Sequence, residues 1–224
     1  MRLFKLLLSI VSCVLPWSLR RRFFEIVFGY ELHPTSRIGF SLILPQKLVM
    51  EEGSQIGHLN LCKGLSLLHL ASFSSVGKLN WITGFPTGAS RHFAHQPERK
   101  PELLLGAHAA ITSRHLLDCT ARVVIGRFST FAGFNSQILT HSIDLEYSRQ
   151  SSAPVEIGEY CFVGTNCVLL GGSNLPSRSV LAAKSLLNKA HSDEGTLYGG
   201  VPAKAIKALP VTWVYFQRAV GFVD

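Results

Sequence analysis

The order of apolar and polar positions changes character once along this chain. Residues 1–30, MRLFKLLLSIVSCVLPWSLRRRFFEIVFGY, hold an apolar run from Leu6 to Leu15 that ends at Pro16. Leu19, Phe23, Ile26 and Val27 then recur at helical spacing. From Ile38 onward the period is six. Ile38, Leu44, Met50, Ile56, Cys62 and Leu68 keep the step, and Val76 and Ile82 resume it after a slip of two. Leu105, Ile111 and Leu117 follow, then Ile125 and Phe131, and lastly Ile157, Val163, Leu169, Leu175, Leu181 and Leu187. In that last stretch the residue two before each anchor is Val155, Cys161, Cys167, Ser173, Ser179 or Ser185, almost all small.

A step of six fits neither a 3.6-residue helix nor a lone strand of period two. It predicts a coil of short parallel strands with three flat faces per turn, in which anchor and small residue both point inward. Three such steps, from Ile38 to Ile56, make one full turn. Glycine follows the anchor at Gly39, Gly57, Gly77, Gly106, Gly126, Gly158 and Gly164, and is read as a corner residue of positive φ. The prediction is an all-β solenoid over residues 31–207. A hydrophobic and amphipathic helical segment precedes it at 1–30. A short tail follows at 208–224, with helical structure there left open.

Two excursions break the ladder, GFPTGASRHFAHQPERKPE (84–102) and THSIDLEYSRQSSAP (140–154). Solenoids carry function on such loops, because the coils have little freedom to vary. His141 stands at the root of the second excursion and is the candidate general base, since imidazole titrates near neutrality. Asp144, Glu146 or a backbone carbonyl could fix its tautomer. Ser142 is read as a turn residue rather than a nucleophile. His92 and His95, beside Arg91, Arg99 and Lys100, are candidates for acceptor contacts, as is Asp144. The remaining histidines, His33, His58, His69, His108, His115 and His191, are read as structural or exposed.

Composition narrows the partners. The 224 residues are 47% hydrophobic and 16% charged, with a formal net charge of +8; the mean hydropathy is +0.25. The surplus of cations favours anionic ligands or surfaces. No basic-aromatic recognition motif supports nucleic acid. Five scattered cysteines without a C-x-x-C pair exclude a disulfide framework and a zinc knuckle, and point to reduced, cytoplasmic thiols. A trio of histidines for a β-helix metalloenzyme is also missing, because His115 and His141 lack a close partner. The apolar run at Leu6–Leu15 is too short to span a bilayer and has no small-x-small cleavage site after it. Two placements fit the N-terminal segment: a helix in the membrane interface with Arg20, Arg21 and Arg22 beside aromatics, or a helix packed on the chain or a partner.

The segment PVEIGEYCFVGTNCVLLGGSNLPSRSVLAAKSLLNKA, followed by LYGGVPAKAIK, resembles the C-terminal part of the hexapeptide-repeat acyltransferases. It is most similar in kind to the sugar O-acetyltransferases that modify capsular and lipopolysaccharide glycans. The resemblance covers residues 105–207 well and the first coils loosely. It implies a left-handed parallel β-helix, a homotrimer with sites between subunits, and acetyl-coenzyme A as donor without a metal. His141 matches the catalytic histidine, and Thr165 the residue whose backbone N–H meets the thioester carbonyl. Ala183 lies on the path of the pantetheine arm, and Lys189 and Lys204 match the basic residues at the coenzyme's phosphate end. One departure is Lys184, where AAKS (182–185) replaces a GAGS-like step. The implied reaction is acetyl transfer to a hydroxyl of a cell-surface glycan or its precursor, anionic or lipid-linked, by a cytoplasmic protein peripheral to the inner membrane face. An amine acceptor on a nucleotide-linked sugar and a non-catalytic scaffold are the alternatives.

Overall fold

The computed structural model describes residues 2–12, 14–88, 92–221 and 223, with side chains from residue 7 onward. Cys13 and Arg91 lie outside the described residues. The chain winds into a left-handed parallel β-helix of three sheets. The first sheet has seven strands, from Glu31–Leu32 to Asn174–Leu175. The second has nine, from Arg37–Ile38 through Val180–Leu181 to a closing hairpin, Thr196–Gly200 and Ala203–Ala208. The third has seven, from Leu42–Leu44 to Leu186–Leu187.

The step of six reads out the inward positions. Ile38, Ile56, Val76, Ile111, Phe131, Val163 and Leu181 stack coil on coil along the second sheet, each at most 4% exposed. The turn that pairs Ile38 with Ile56 is three plain steps of six. The next turn, which pairs Ile56 with Val76, is longer, and this accounts for the slip of two. Cys161 and Cys167 are fully buried packing residues, and burial pushes both thiols up. Beside the aliphatic columns runs a polar one through Ser41, Asn60, Asn80, His115 and Ser136. Asn60 donates to the Gly77 carbonyl (2.8 Å) and Asn80 to that of Thr112 (2.9 Å). His115 Nδ1 accepts from the Ser136 amide at 3.2 Å, and its burial lowers the ring pKa to about 4. It is a structural imidazole, neutral in the fold.

The glycines after the anchors do not serve positive φ, as the sequence suggested. Left-handed φ falls two positions later, on Leu59, Leu79, His108, Phe128, Tyr160 and Asn166. The glycines serve close approach instead: a Cβ on Gly57 would stand 2.4 Å from the Gly77 oxygen. Lys184 takes φ of 59°, a conformation that glycine adopts without cost.

Helix α1 (Arg2–Ser12) lies against the strand Leu42–Leu44, and helix α2 (Trp17–Phe28) closes the first coil. Phe24 and Phe28 are buried there, contributing about 2 kcal/mol each. Arg20 is 3% exposed, and its guanidinium donates to the carbonyls of Gly39 (2.8 Å) and Ser41 (3.1 Å). Trp17 Nε1 donates to the Ser36 carbonyl, and the Tyr30 hydroxyl to that of Ile43. These side chains satisfy carbonyls that the first coil would leave open. Arg20 is therefore a cap and no part of a lipid-facing cluster. Leu7, Ile10, Val11 and Val14 remain exposed in a stripe, and no described helix is long and apolar enough to cross a membrane. Beyond the β-helix, the described residues of the tail hold a 3₁₀ turn, Val214–Phe216.

Candidate active site

The second excursion is an antiparallel hairpin, His141–Asp144 against Arg149–Ser152, that leaves the end of the third sheet. His141 is its first residue and pairs with Ser152. One turn earlier the third-sheet strand Leu116–Asp118 ends in an acid that the sequence reading passed over. Asp118 Oδ2 lies 2.7 Å from His141 Nδ1 and 3.0 Å from the amides of Thr140 and His141. Its Oδ1 accepts from the Thr120 hydroxyl at 2.6 Å. Asp118 is 5% exposed, whereas the His141 side chain is 45% exposed. An ionised carboxylate only accepts, so Nδ1 carries the proton and Nε2 holds the lone pair. Such an imidazole can take a proton from a bound hydroxyl, with the buried carboxylate stabilising the imidazolium that forms.

The tautomer is thus fixed by Asp118, not by the residues of its own loop. Asp144 pairs with Arg149 at 3.4 Å and accepts from the Tyr147 amide, while Glu146 is exposed. Asp118 had one signal in the sequence: an acid next to the anchor Leu117, one turn above the root of the excursion.

The first excursion packs on the same hairpin. Gln96 Nε2 donates to the Ser152 carbonyl at 2.9 Å, and Gln96 Oε1 accepts from the Ser152 amide at 3.1 Å. Phe93, 5% exposed, sets its ring at 84° to that of His141, with centroids 6.3 Å apart. His92 lies edge-on to Phe85; His95 is exposed on the loop surface. Phe93 and Gln96 carried no chemical signal of their own in the sequence, and Arg99 was read only as one of the loop's cations.

Of the residues expected at the donor, most lie away from His141. Thr165 lies at the corner between the second and third sheets, before the strand Val168–Leu170, which pairs with Gln137–Leu139. His141 lies past the far end of that pair, so the two are separated by a strand of about 10 Å. Ala183 is one coil below Thr165, and neither amide donates to a protein acceptor among the described residues. Lys204 pairs with Gly199, which abuts Ala182, on the Thr165 side. Lys189 follows the strand Leu186–Leu187 and lies on the His141 side. One chain therefore brings together His141, Asp118 and the excursions, and separately Thr165, Ala183 and Lys204. Among the described residues no group of three His, Cys, Asp or Glu side chains could hold a metal.

No family model and no curated protein matches this sequence. Solved structures do. A hexapeptide-repeat acetyltransferase from Vibrio cholerae O1 biovar eltor, complexed with acetyl-coenzyme A, aligns over 92% of this chain and 86% of its own at 19% identity and TM-score 0.50. The chain has the hexapeptide-repeat acetyltransferase fold. A second structure of the Vibrio cholerae acetyltransferase is 29% identical over a shorter match, 48% of this chain and 63% of that one, with a TM-score of 0.45. The polysialic acid O-acetyltransferase OatWY aligns over 80% of this chain and 84% of its own at 16% identity and TM-score 0.57. A variant of AntD, an N-acyltransferase from Bacillus cereus solved with dTDP-4-amino-4,6-dideoxyglucose and coenzyme A, shares the fold at 12% identity and TM-score 0.50, over 88% of this chain and 92% of its own. In this hexapeptide-repeat fold the excursions of 84–102 and 140–154 are what distinguish one corner of the coil from the others.

Proposed function

We propose that the protein is an acetyl-coenzyme A-dependent O-acetyltransferase acting on a sugar hydroxyl of a cell-surface glycan or its precursor. The observation that carries the reading is the Asp118–His141 pair, a buried carboxylate holding a half-exposed imidazole at the root of an excursion on this fold. His141 Nε2 takes the proton of the acceptor hydroxyl as its oxygen attacks the thioester carbonyl. The tetrahedral oxyanion is met by a backbone N–H at Thr165, a donor on a rigid coil that needs no reorganisation. Collapse expels the thiolate of coenzyme A, which recovers the proton from the imidazolium. Incubating the protein with acetyl-coenzyme A and panels of neutral and acidic glycans tests this. A gain of acetyl mass that hydroxylamine removes supports an ester. A resistant product indicates an amide, and no gain on any glycan defeats the reading.

The separation of His141 from Thr165 within one chain favours a site assembled between copies, in a homotrimer. Trp81 and Leu116 face outward from the third sheet at 53% and 41% exposure, and Ile143, Leu145 and Tyr147 are exposed on the hairpin. Sedimentation at a mass other than three chains counts against it.

Lys204 on the Thr165 side and Lys189 on the His141 side give a further expectation. Lys204→Ala and Lys189→Ala should each weaken acetyl-coenzyme A binding by about 5–10-fold, more at low salt, with kcat little changed. Calorimetric titration that finds wild-type affinity in both places the donor elsewhere. The exposed stripe of Leu7, Ile10, Val11 and Val14 suits the interface of a membrane where a lipid-linked acceptor would lie. Deleting residues 1–12 keeps the α2 cap and should abolish co-sedimentation with phosphatidylglycerol vesicles. Unchanged partitioning means that the stripe packs on protein instead.

A further inference from the structure

The first excursion is fastened on both sides of the Asp118–His141 pair. On one side the Arg99 guanidinium donates to the carbonyls of Phe85 (2.7 Å), Pro86 (3.3 Å) and Thr120 (2.6 Å). Thr120 is itself a donor to Asp118. On the other side Gln96 makes a reciprocal pair with the backbone of Ser152, the cross-strand partner of His141, and accepts from its hydroxyl at 2.9 Å. Between the two fasteners sits Phe93, with the Arg99 guanidinium 4.4 Å above its ring and the His141 ring across its edge. Burial pulls the Arg99 pKa down and the Asp118 carboxylate opposes this, so the two side chains sense each other.

Closing the coil does not require this loop. One turn earlier the chain passes from the third sheet to the first between Lys63 and Leu67, whereas here it leaves at Thr83 and returns at Glu102. Phe93 holds a φ of 62°, the left-handed corner conformation that Leu59, Leu79 and Phe128 also take in the coil. His141 needs the support. Among the described residues its ring has a single hydrogen bond, to Asp118, about which the ring can tilt.

The geometry points to Gln96 and Arg99 as positioning residues for the His141 imidazole, latching Phe93 against the ring from within the same chain. The inference rests on His141 acting as the base. Among the described residues, the hydrogen-bond partners of Gln96 and Arg99 lie on the loop's own base, the hairpin and the coil.

The test compares Gln96→Ala and Arg99→Lys with the wild type and with His141→Ala, using acetyl-coenzyme A and water as substrates. Histidine-labelled protein followed by ¹⁵N NMR reports how fast the Nδ1 proton exchanges. Both latch variants should lose about tenfold or more in kcat, because small misplacements of a reacting group are costly, while KM for acetyl-coenzyme A moves by less than about twofold. Nδ1 exchange should quicken. Lysine keeps the charge but cannot serve three carbonyls in a planar fork, so Arg99→Lys should not rescue. Wild-type kcat and unchanged exchange in folded Gln96→Ala and Arg99→Lys overturn the inference. If His141→Ala alone turns over normally, the reading of His141 as base fails instead, and the exchange rate still decides whether the latch holds the ring.

Discussion

Replacing His141 by alanine is expected to cut acetyl transfer by about 10²–10⁴-fold, the usual contribution of a positioned base. Donor affinity and thermal stability should barely move. The side chain is 45% exposed, and its hydrogen bond goes to a carboxylate that keeps other donors from Thr120 and Thr140. Steady-state kinetics with acetyl-coenzyme A, together with a melting curve, separates the two quantities. A folded variant with near-normal turnover would sink the assignment. A variant that loses activity only because it unfolds would show a large drop in Tm, which this exposure does not predict.

Most of the coil could be read from side-chain period alone, because a β-helix repeats one environment many times. The anchors from Ile157 to Leu187 and the small residues before them are all inward-facing, as their order implied. What the period cannot convey is which residues meet across a turn. Asp118 and His141 are far apart in sequence, and the turn that joins them, from Leu117 to Ile138, is longer than the three plain steps from Ile38 to Ile56. The irregular steps from Leu117 to Ile125 and from Phe131 to Ile138 hide that count. Arg20 shows the same limit at the other end. In the run Arg20–Arg22 nothing local separates a buried cap from its neighbours: Arg20 turns inward to the first coil, while Arg22 is exposed. The glycines after the anchors were read as φ positions, but their reason is the distance to the next coil's backbone, which a single turn of sequence does not contain.

Asp118→Asn is expected to lower kcat by about 10²-fold or more, again with little change in donor affinity. The carboxylate accepts on both oxygens: from the Thr120 amide and hydroxyl on Oδ1, and from the Thr140 and His141 amides and His141 Nδ1 on Oδ2. An amide of the same shape keeps one acceptor and turns the other into a donor. With the NH₂ toward His141 it faces three N–H groups, so the ring must flip its tautomer and Nε2 gains the proton that a base must not carry. With the NH₂ toward Thr120 the imidazole keeps its partner but loses the negative charge that stabilises the imidazolium. Either arrangement removes base strength. Asp118→Ala should do more, because it leaves the buried amides of Thr120 and Thr140 and the half-buried amide of His141 short of an acceptor, each buried one worth about 1–3 kcal/mol. Its Tm should fall well below that of Asp118→Asn. Should Asp118→Asn turn over as fast as wild type while His141→Ala is inactive, the imidazole is oriented by something other than this carboxylate.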